Sequence, residues 1–286
     1  MFQRQLRRFI SLTSFFCLFV GATFSLATDV KLDDVINGHL DSIAKPDVRA
    51  GTKSRLVEGT AVFRVLTGGA GTTEGPATIA SIERNSLLQM KFSTSYRGER
   101  VVTDGNKVSV AYATPDQTRS AFGEFVYVQN AVMREGLLGG VLTTAWPLLD
   151  LKERNPKLSL GGTKNIDGQA LYEVRYKPKK SADVDIRLYF DTETFRHVLT
   201  VYSLVIEPRI VMGGDTMQAS QNLIRYRVEE KFSDFKTADG FSLPHHYTIH
   251  FSQETQQGPS TLLDFDITVT KIVENMDLSP KNFEIK

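Results

Sequence analysis

Residues 222–251 read NLIRYRVEEKFSDFKTADGFSLPHHYTIHF. Ile224, Tyr226 and Val228 alternate with Arg225, Arg227 and Glu229, the two-residue period of a strand with one buried face. Thr237-Ala238-Asp239-Gly240 is a turn signal, because Gly takes positive φ without a Cβ clash. Past Pro244 a second strand places Tyr247, Ile249 and Phe251 on one face and His246, Thr248 and His250 on the other. The stretch reads as an amphipathic β-hairpin. Its apolar face must cover something, and the rest of the chain is read to find what.

The chain has 286 residues, with 34 Lys and Arg against 33 Asp and Glu. That balance shows no basic excess to attract nucleic acid. Arg4, Arg7 and Arg8 followed by the apolar run Phe9–Val20 and by Ser25-Leu26-Ala27 are expected to form a signal peptide over 1–27, cleaved after Ala27. The apolar run is shorter than the ~20 residues a spanning helix needs, and no later run is long enough, so no stable membrane span is expected after its removal. The only cysteine, Cys17, falls within that leader and lacks a lipobox context. The remaining chain then has neither disulfides nor a thiol nucleophile. These features predict a periplasmic or secreted protein with one domain over 28–286.

Leu32, Val35, Ile36, Leu40 and Ile43 recur at helical spacing, which predicts a helix over 29–45 capped by Asp29, with Asn37-Gly38 weakening its middle. Alternating strands follow from Val57 to Tyr112, with a turn-rich loop at 68–75. Between 119 and 151 the period turns helical; Leu137, Leu138, Gly139, Gly140, Leu142 and Trp146 are read as core or as a lid over an apolar cavity. Strands resume from Tyr172 to Val269, with 208–221 as a polar loop. About ten strands with few helices predict a mainly β fold: a curved antiparallel sheet wrapped round a few helices. Apolar space left by so small a cover is expected to be lined by Phe63, Phe92, Tyr112, Tyr176, Phe190, Tyr226, Tyr247, Phe251 and Phe265.

No catalytic residue, metal ligand or cofactor site is assigned. His246 and His250 share a strand face but stand ~13 Å apart at ~3.3 Å per residue, too far for one zinc ion, and His245 points the other way. They are expected to face solvent or pair with carboxylates. Gly-x-Ser-x-Gly and His-Glu-x-x-His are absent. Glu230 carries the parity of the apolar residues, which predicts either a bulge or a place at the cavity rim.

The segments DGQALYEVRYKPKK (167–180), VDIRLYFDTETFRHVLTVY (184–202), YRVEEKFSDFKTADGFSLPHHYTIHF (226–251) and NMDLSPKNFEIK (275–286), in that order, resemble the LolA/LolB/RseB-type superfamily of periplasmic lipoprotein-localisation factors, and more closely its outer-membrane lipoprotein-sorting members. The resemblance implies an open β half-barrel with a helical lid and a hydrophobic cavity. It implies a non-catalytic carrier or binding protein for lipid or the acyl chains of a lipoprotein. The alternative is an interaction module that binds a protein partner in envelope stress or outer-membrane assembly.

Overall fold

The computed structural model describes residues 30–285 apart from 68–70, 94–95, 112–118, 180–182, 208–209, 214–215, 220–222 and 257. The leader expected at 1–27, the cap Asp29 and the wall residue Tyr112 lie outside the described residues.

One sheet dominates. Its strands are β1 (Ser54–Val65), β2 (Gly71–Ile82), β3 (Asn85–Lys91), β4 (Gly98–Thr103), β5 (Val108–Ala111), β6 (Lys157–Ile166), β7 (Gln169–Lys177), β8 (Asp185–Asp191) and β9 (His197–Ile206). A small ribbon, β10 (Ile210–Gly213) and β11 (Thr216–Ala219), pairs only with itself. β12 (Ile224–Ala238), β13 (Phe241–Thr255) and β14 (Thr261–Glu274) then complete the sheet. The order is β5-β4-β3-β2-β1-β14-β13-β12-β9-β8-β7-β6, antiparallel throughout and open, with β5 and β6 as its two edges.

The sheet has twelve strands where about ten were expected. The uncounted strand is β6, whose residues are mostly exposed, so it lacks the large inward side chains that mark a half-buried strand. Strand β2 also starts inside the expected loop, at Gly71 opposite Val65. Likewise, the ribbon β10–β11 forms within the stretch read as a polar loop.

The hairpin of β12 and β13 pairs Val228 with Phe251 and Phe232 with Tyr247. Asp239 and Gly240 turn it with φ of 51° and 81°, so both central residues have the positive φ that a two-residue hairpin turn demands. Cross-strand partners carry one face across the sheet: Val228 meets Tyr202 of β9, Ile249 meets Phe265 of β14, and Phe265 meets Phe63 of β1. On the opposite face, Ala80, Leu87 and Val102 are covered by Leu278 and Phe283 of the C-terminal segment.

The face bearing those aromatics is covered by helix α1 (Leu32–Ile43), the short α2 (Pro46–Ala50), and a segment over 120–154. That segment, read as helical, is a chain of short turns: α3 (Ala121–Val128), α4 (Ala131–Arg134), 3₁₀ turns at Gly140–Leu142 and Pro147–Asp150, and α5 (Leu151–Arg154). Gly136, Gly139 and Gly140, all at positive φ, are what break it. Helix α1 begins one turn later than expected, with the Asp34 carboxylate accepting from Lys31 N at 3.0 Å. It buries Val35, Ile36, His39 and Ile43 on one stripe.

Gly38 is the point where α1 meets Phe195. A Cβ there would lie 2.7 Å from the Phe195 ring. Gly38→Ala gains about 1 kcal/mol of helix propensity but overpacks the contact by about 1–3 kcal/mol. A net loss of about 1 kcal/mol is therefore expected in urea denaturation, and a stabilised variant would show that Phe195 yields freely.

Candidate functional site

The aromatic residues named from the strand pattern, Tyr112 aside, meet one another and the cover. Phe63 lies 5.9 Å from Phe92 and 5.0 Å from Phe265, and stacks on Tyr96 at 4.2 Å. Phe251 meets Tyr226 and the α3 residues Phe122 and Phe125. Tyr247 stacks on Phe232 with the ring planes 8° apart. Phe190 packs on His39 at 4.8 Å. Tyr176 is buried and donates its hydroxyl to Glu135 at 2.8 Å. Where the sequence suggested space lined by rings, the structure shows rings in mutual contact. Leu137, Leu138, Gly139, Gly140, Leu142 and Trp146 are buried beneath them as part of the same packing.

Buried polar groups interrupt this face, and four sites among them tie the cover to the sheet or to α1. Glu230 is one. The ladder runs regularly past it, so there is no bulge, and at 0% exposure it is core and not rim. Its carboxylate accepts from Gly139 N at 2.7 Å and from the hydroxyls of Tyr202 and Tyr247. Glu99 on β4 is the second, accepting from Tyr96 at 2.8 Å and from Ser120, which in turn caps α3 by accepting from Gly123 N at 2.9 Å. Burial lifts both carboxyls from 4.5 to about 7, against the lowering effect of those hydrogen bonds.

The third is a histidine pair under Trp146. His39 donates from Nδ1 to the Phe195 carbonyl at 3.2 Å and accepts at Nε2 from the Trp146 indole at 2.9 Å. Burial lowers its pKa to about 3, so the ring is neutral. His197 stacks on the same indole at 4.6 Å and is held neutral by burial too. The fourth is Arg55, which binds Glu274 at 2.6 Å and the Val141 carbonyl and lies over the Phe241 ring.

Neither histidine of this pair nor Arg55 nor Glu99 stood out in the sequence. Spacing carried the signal: His39 lies three residues after Ile36 and four before Ile43, and Arg55 has the parity of Val57 and Phe63.

Beside Arg55 a cleft of about 780 Å³ opens between α1–α2, the sheet and the 141–154 part of the cover. Leu40, Ile43, Pro46, Val141, Leu149 and Phe241 give it an apolar wall. Leu149 is 40% exposed, a large apolar side chain left open to solvent. Arginines line it as well, each engaged: Arg49 with the Leu40 and Ala44 carbonyls, Arg84 with Asp150 and Glu153, Arg154 with the Glu135 and Ala145 carbonyls.

His246 and His250 lie on the outer face of the hairpin. His250 pairs with Asp264, and His246 contacts Ser233 at 3.0 Å and Asp266 at 2.8 Å. Ser233, His246 and Asp266 form a chain of the kind hydrolases use. Here His246 is 40% and Asp266 31% exposed, and Arg64 shares the carboxylate at 3.4 Å. With both groups open to solvent and the carboxylate shared with an arginine, the contact is a surface charge ladder. Among the described residues no three His, Cys, Asp or Glu side chains are placed to hold a metal ion, and no helix is long and apolar enough to cross a membrane.

An open antiparallel sheet with one aromatic face under a segmented cover is the class of architecture this defines. Similar solved structures include a LolA superfamily protein from Nitrosomonas europaea, at 13% identity and TM-score 0.47, covering 89% of this chain and 98% of that one. Another is a DUF1329 family protein from Desulfovibrio piger, at 14% identity and TM-score 0.48, covering 88% and 96%. A third is a putative outer membrane lipoprotein-sorting protein domain from Vibrio parahaemolyticus, at 9% identity and TM-score 0.41, covering 87% and 95%. No family model matches the chain, and no curated protein does.

Proposed function

We propose that this chain is an exported, non-catalytic binding protein for lipid or the acyl chains of a lipoprotein, taken up between the aromatic face and its cover. The cleft beside Arg55 is the observation that carries this reading. It lies between α1–α2, the sheet and the cover, and within a lining that is largely polar and charged it keeps one apolar side, with Leu149 exposed. In this reading the cover moves as the lid, with Gly139 and Gly140 as its hinge. Phe63, Phe92, Phe190, Phe251 and Phe265 then exchange contacts with the cover for contacts with the ligand. Each buried CH₂ of an acyl chain would contribute ~0.8 kcal/mol, so a dozen suffice to offset the ordering of chain and cover.

Native mass spectrometry of protein released gently from the cell envelope is expected to show bound lipid, and a fluorescent fatty acid should bind the delipidated protein. Leu149→Glu places a charge on the apolar wall and is expected to weaken that binding about tenfold, roughly 1.4 kcal/mol. Protein that is always empty and takes up no fatty acid would overturn the proposal.

A further inference from the structure

Several bonds fasten the cover to the sheet, the Tyr176 hydroxyl to Glu135 and Arg55 to the Val141 carbonyl among them, and at two of them within 120–139 the sheet presents a buried carboxyl group. Near its start, Ser120 donates to Glu99; at its far end, Gly139 N donates to Glu230. Among the described residues no cation pairs with either carboxyl. Around Glu230 stand Tyr202 and Thr200 from β9, Tyr247 and Ile249 from β13, and the cover's Gly139. His197, next along beside Gly140 and Phe232, is neutral. Around Glu99 stand Met90 from β3, Tyr96, and Ser120 and Gly123 from the cover. Arg119, the residue before Ser120, is paired with Glu124 at 3.1 Å and lies over Tyr127. Glu99 Oε2 is buried without a hydrogen-bond partner and faces Gly123, where even a methyl would come within 2.8 Å.

We propose that Glu99 and Glu230 are proton-sensitive anchors of the 120–139 segment: protonated they hold it on the aromatic face, and ionised they release it. The neutral form suits the closed geometry. A proton on the orphan Oε2 of Glu99 leaves Oε1 accepting from both hydroxyls. At Glu230 the Tyr202 hydroxyl turns from donor to acceptor while Gly139 keeps its bond. The ionised form instead leaves two buried charges with no counter-ion, and opening the segment hydrates both.

The sign follows from linkage. Closed, both groups titrate near 7; open, near the ordinary 4.5. The closed state therefore binds more protons between these values, and its advantage falls as pH rises through that window. Over the whole window this is roughly a 300-fold change in the opening equilibrium per carboxyl. His39 and His197 act in the opposite sense below their ordinary value of 6.5, so the clean range is above it. Opening itself needs no ligand; ligand exchange through the opening rests on the function proposed above.

Hydrogen exchange of the 120–139 amides, referred to β13 and β14 amides and corrected for intrinsic rates, tests this between pH 6.5 and 8.5. Their protection is expected to fall roughly tenfold across that range. Glu99→Gln and Glu230→Gln, neutral near-isosteres, should each remove part of the change, and the double variant all of it. Protection in the unaltered protein that stays flat with pH, or a double variant that keeps the full change, would overturn the proposal. Protection that moves as expected in a protein that binds no fluorescent fatty acid would support the anchors and sink only the lipid reading.

Discussion

Trp146→Ala is expected to lower the unfolding free energy by about 4–5 kcal/mol, read as a shift of the urea midpoint at constant slope. Two losses combine. The indole is fully buried, and its removal opens a cavity between His197, stacked at 4.6 Å, and His39. It also strips the Nε1–H donor from His39 Nε2, leaving a buried acceptor orphaned in a ring that burial keeps neutral. Trp146→Phe separates the two: it keeps most of the ring volume and loses only the donor, so about 1–3 kcal/mol is expected. The comparison bears on which part of the cover moves. If Trp146 is a lid residue that spends time off the sheet, alanine will cost under about 2 kcal/mol. A full loss makes 140–146 a fixed post against which 120–139 swings.

The hairpin was readable because strand parity is a local rule. Tyr226, Val228, Tyr247, Ile249 and Phe251 alternate with polar neighbours, and the structure pairs them on one face as that alternation requires. The Asp239-Gly240 turn was readable for the same reason, since backbone conformation there is set by two residues. Parity failed where it was outvoted by residue type. Glu230 had the apolar parity, yet a carboxylate suggested a rim; it lies at the centre because two tyrosines and a backbone N–H reach it from other elements. Glu99 and Arg55 follow the same logic, their partners Ser120, Tyr96, Glu274 and Val141 being 3 to 219 positions away. No periodicity records such partners. Whether rings line a space or fill it is likewise a matter of how the cover sits. Phe122 and Phe125 of α3 close on Phe251 and Phe265, a contact that helical spacing alone does not specify.

Arg55→Leu is expected to cost about 3–5 kcal/mol, and the double variant Arg55→Leu/Glu274→Leu much less, because breaking a buried pair leaves a charge behind whereas replacing both partners does not. Arg55 holds three elements at once. Its Nε meets Glu274 of β14 at 2.6 Å, a terminal nitrogen meets the Val141 carbonyl of the cover, and its plane lies over Phe241 of β13 at 5.2 Å. Its side chain is 4% exposed and that of Glu274 16%, so water does not take over when either is removed. Glu274 already has one buried oxygen without a partner, which makes the single deletion the worse for it. Lysine will rescue only in part, since a point charge cannot donate to carboxylate and carbonyl in one plane while stacking on a ring. A thermodynamic cycle over the two single variants and the double measures the coupling, and a value under about 1 kcal/mol would remove the pair as a tie between cover and sheet. The contrast with Glu99 and Glu230 is the physical point. A guanidinium keeps its charge across the whole accessible pH range, so the Arg55 end of the cover stays fastened where the carboxyl-held 120–139 end lets go, and an opening fixed at one end is a hinge.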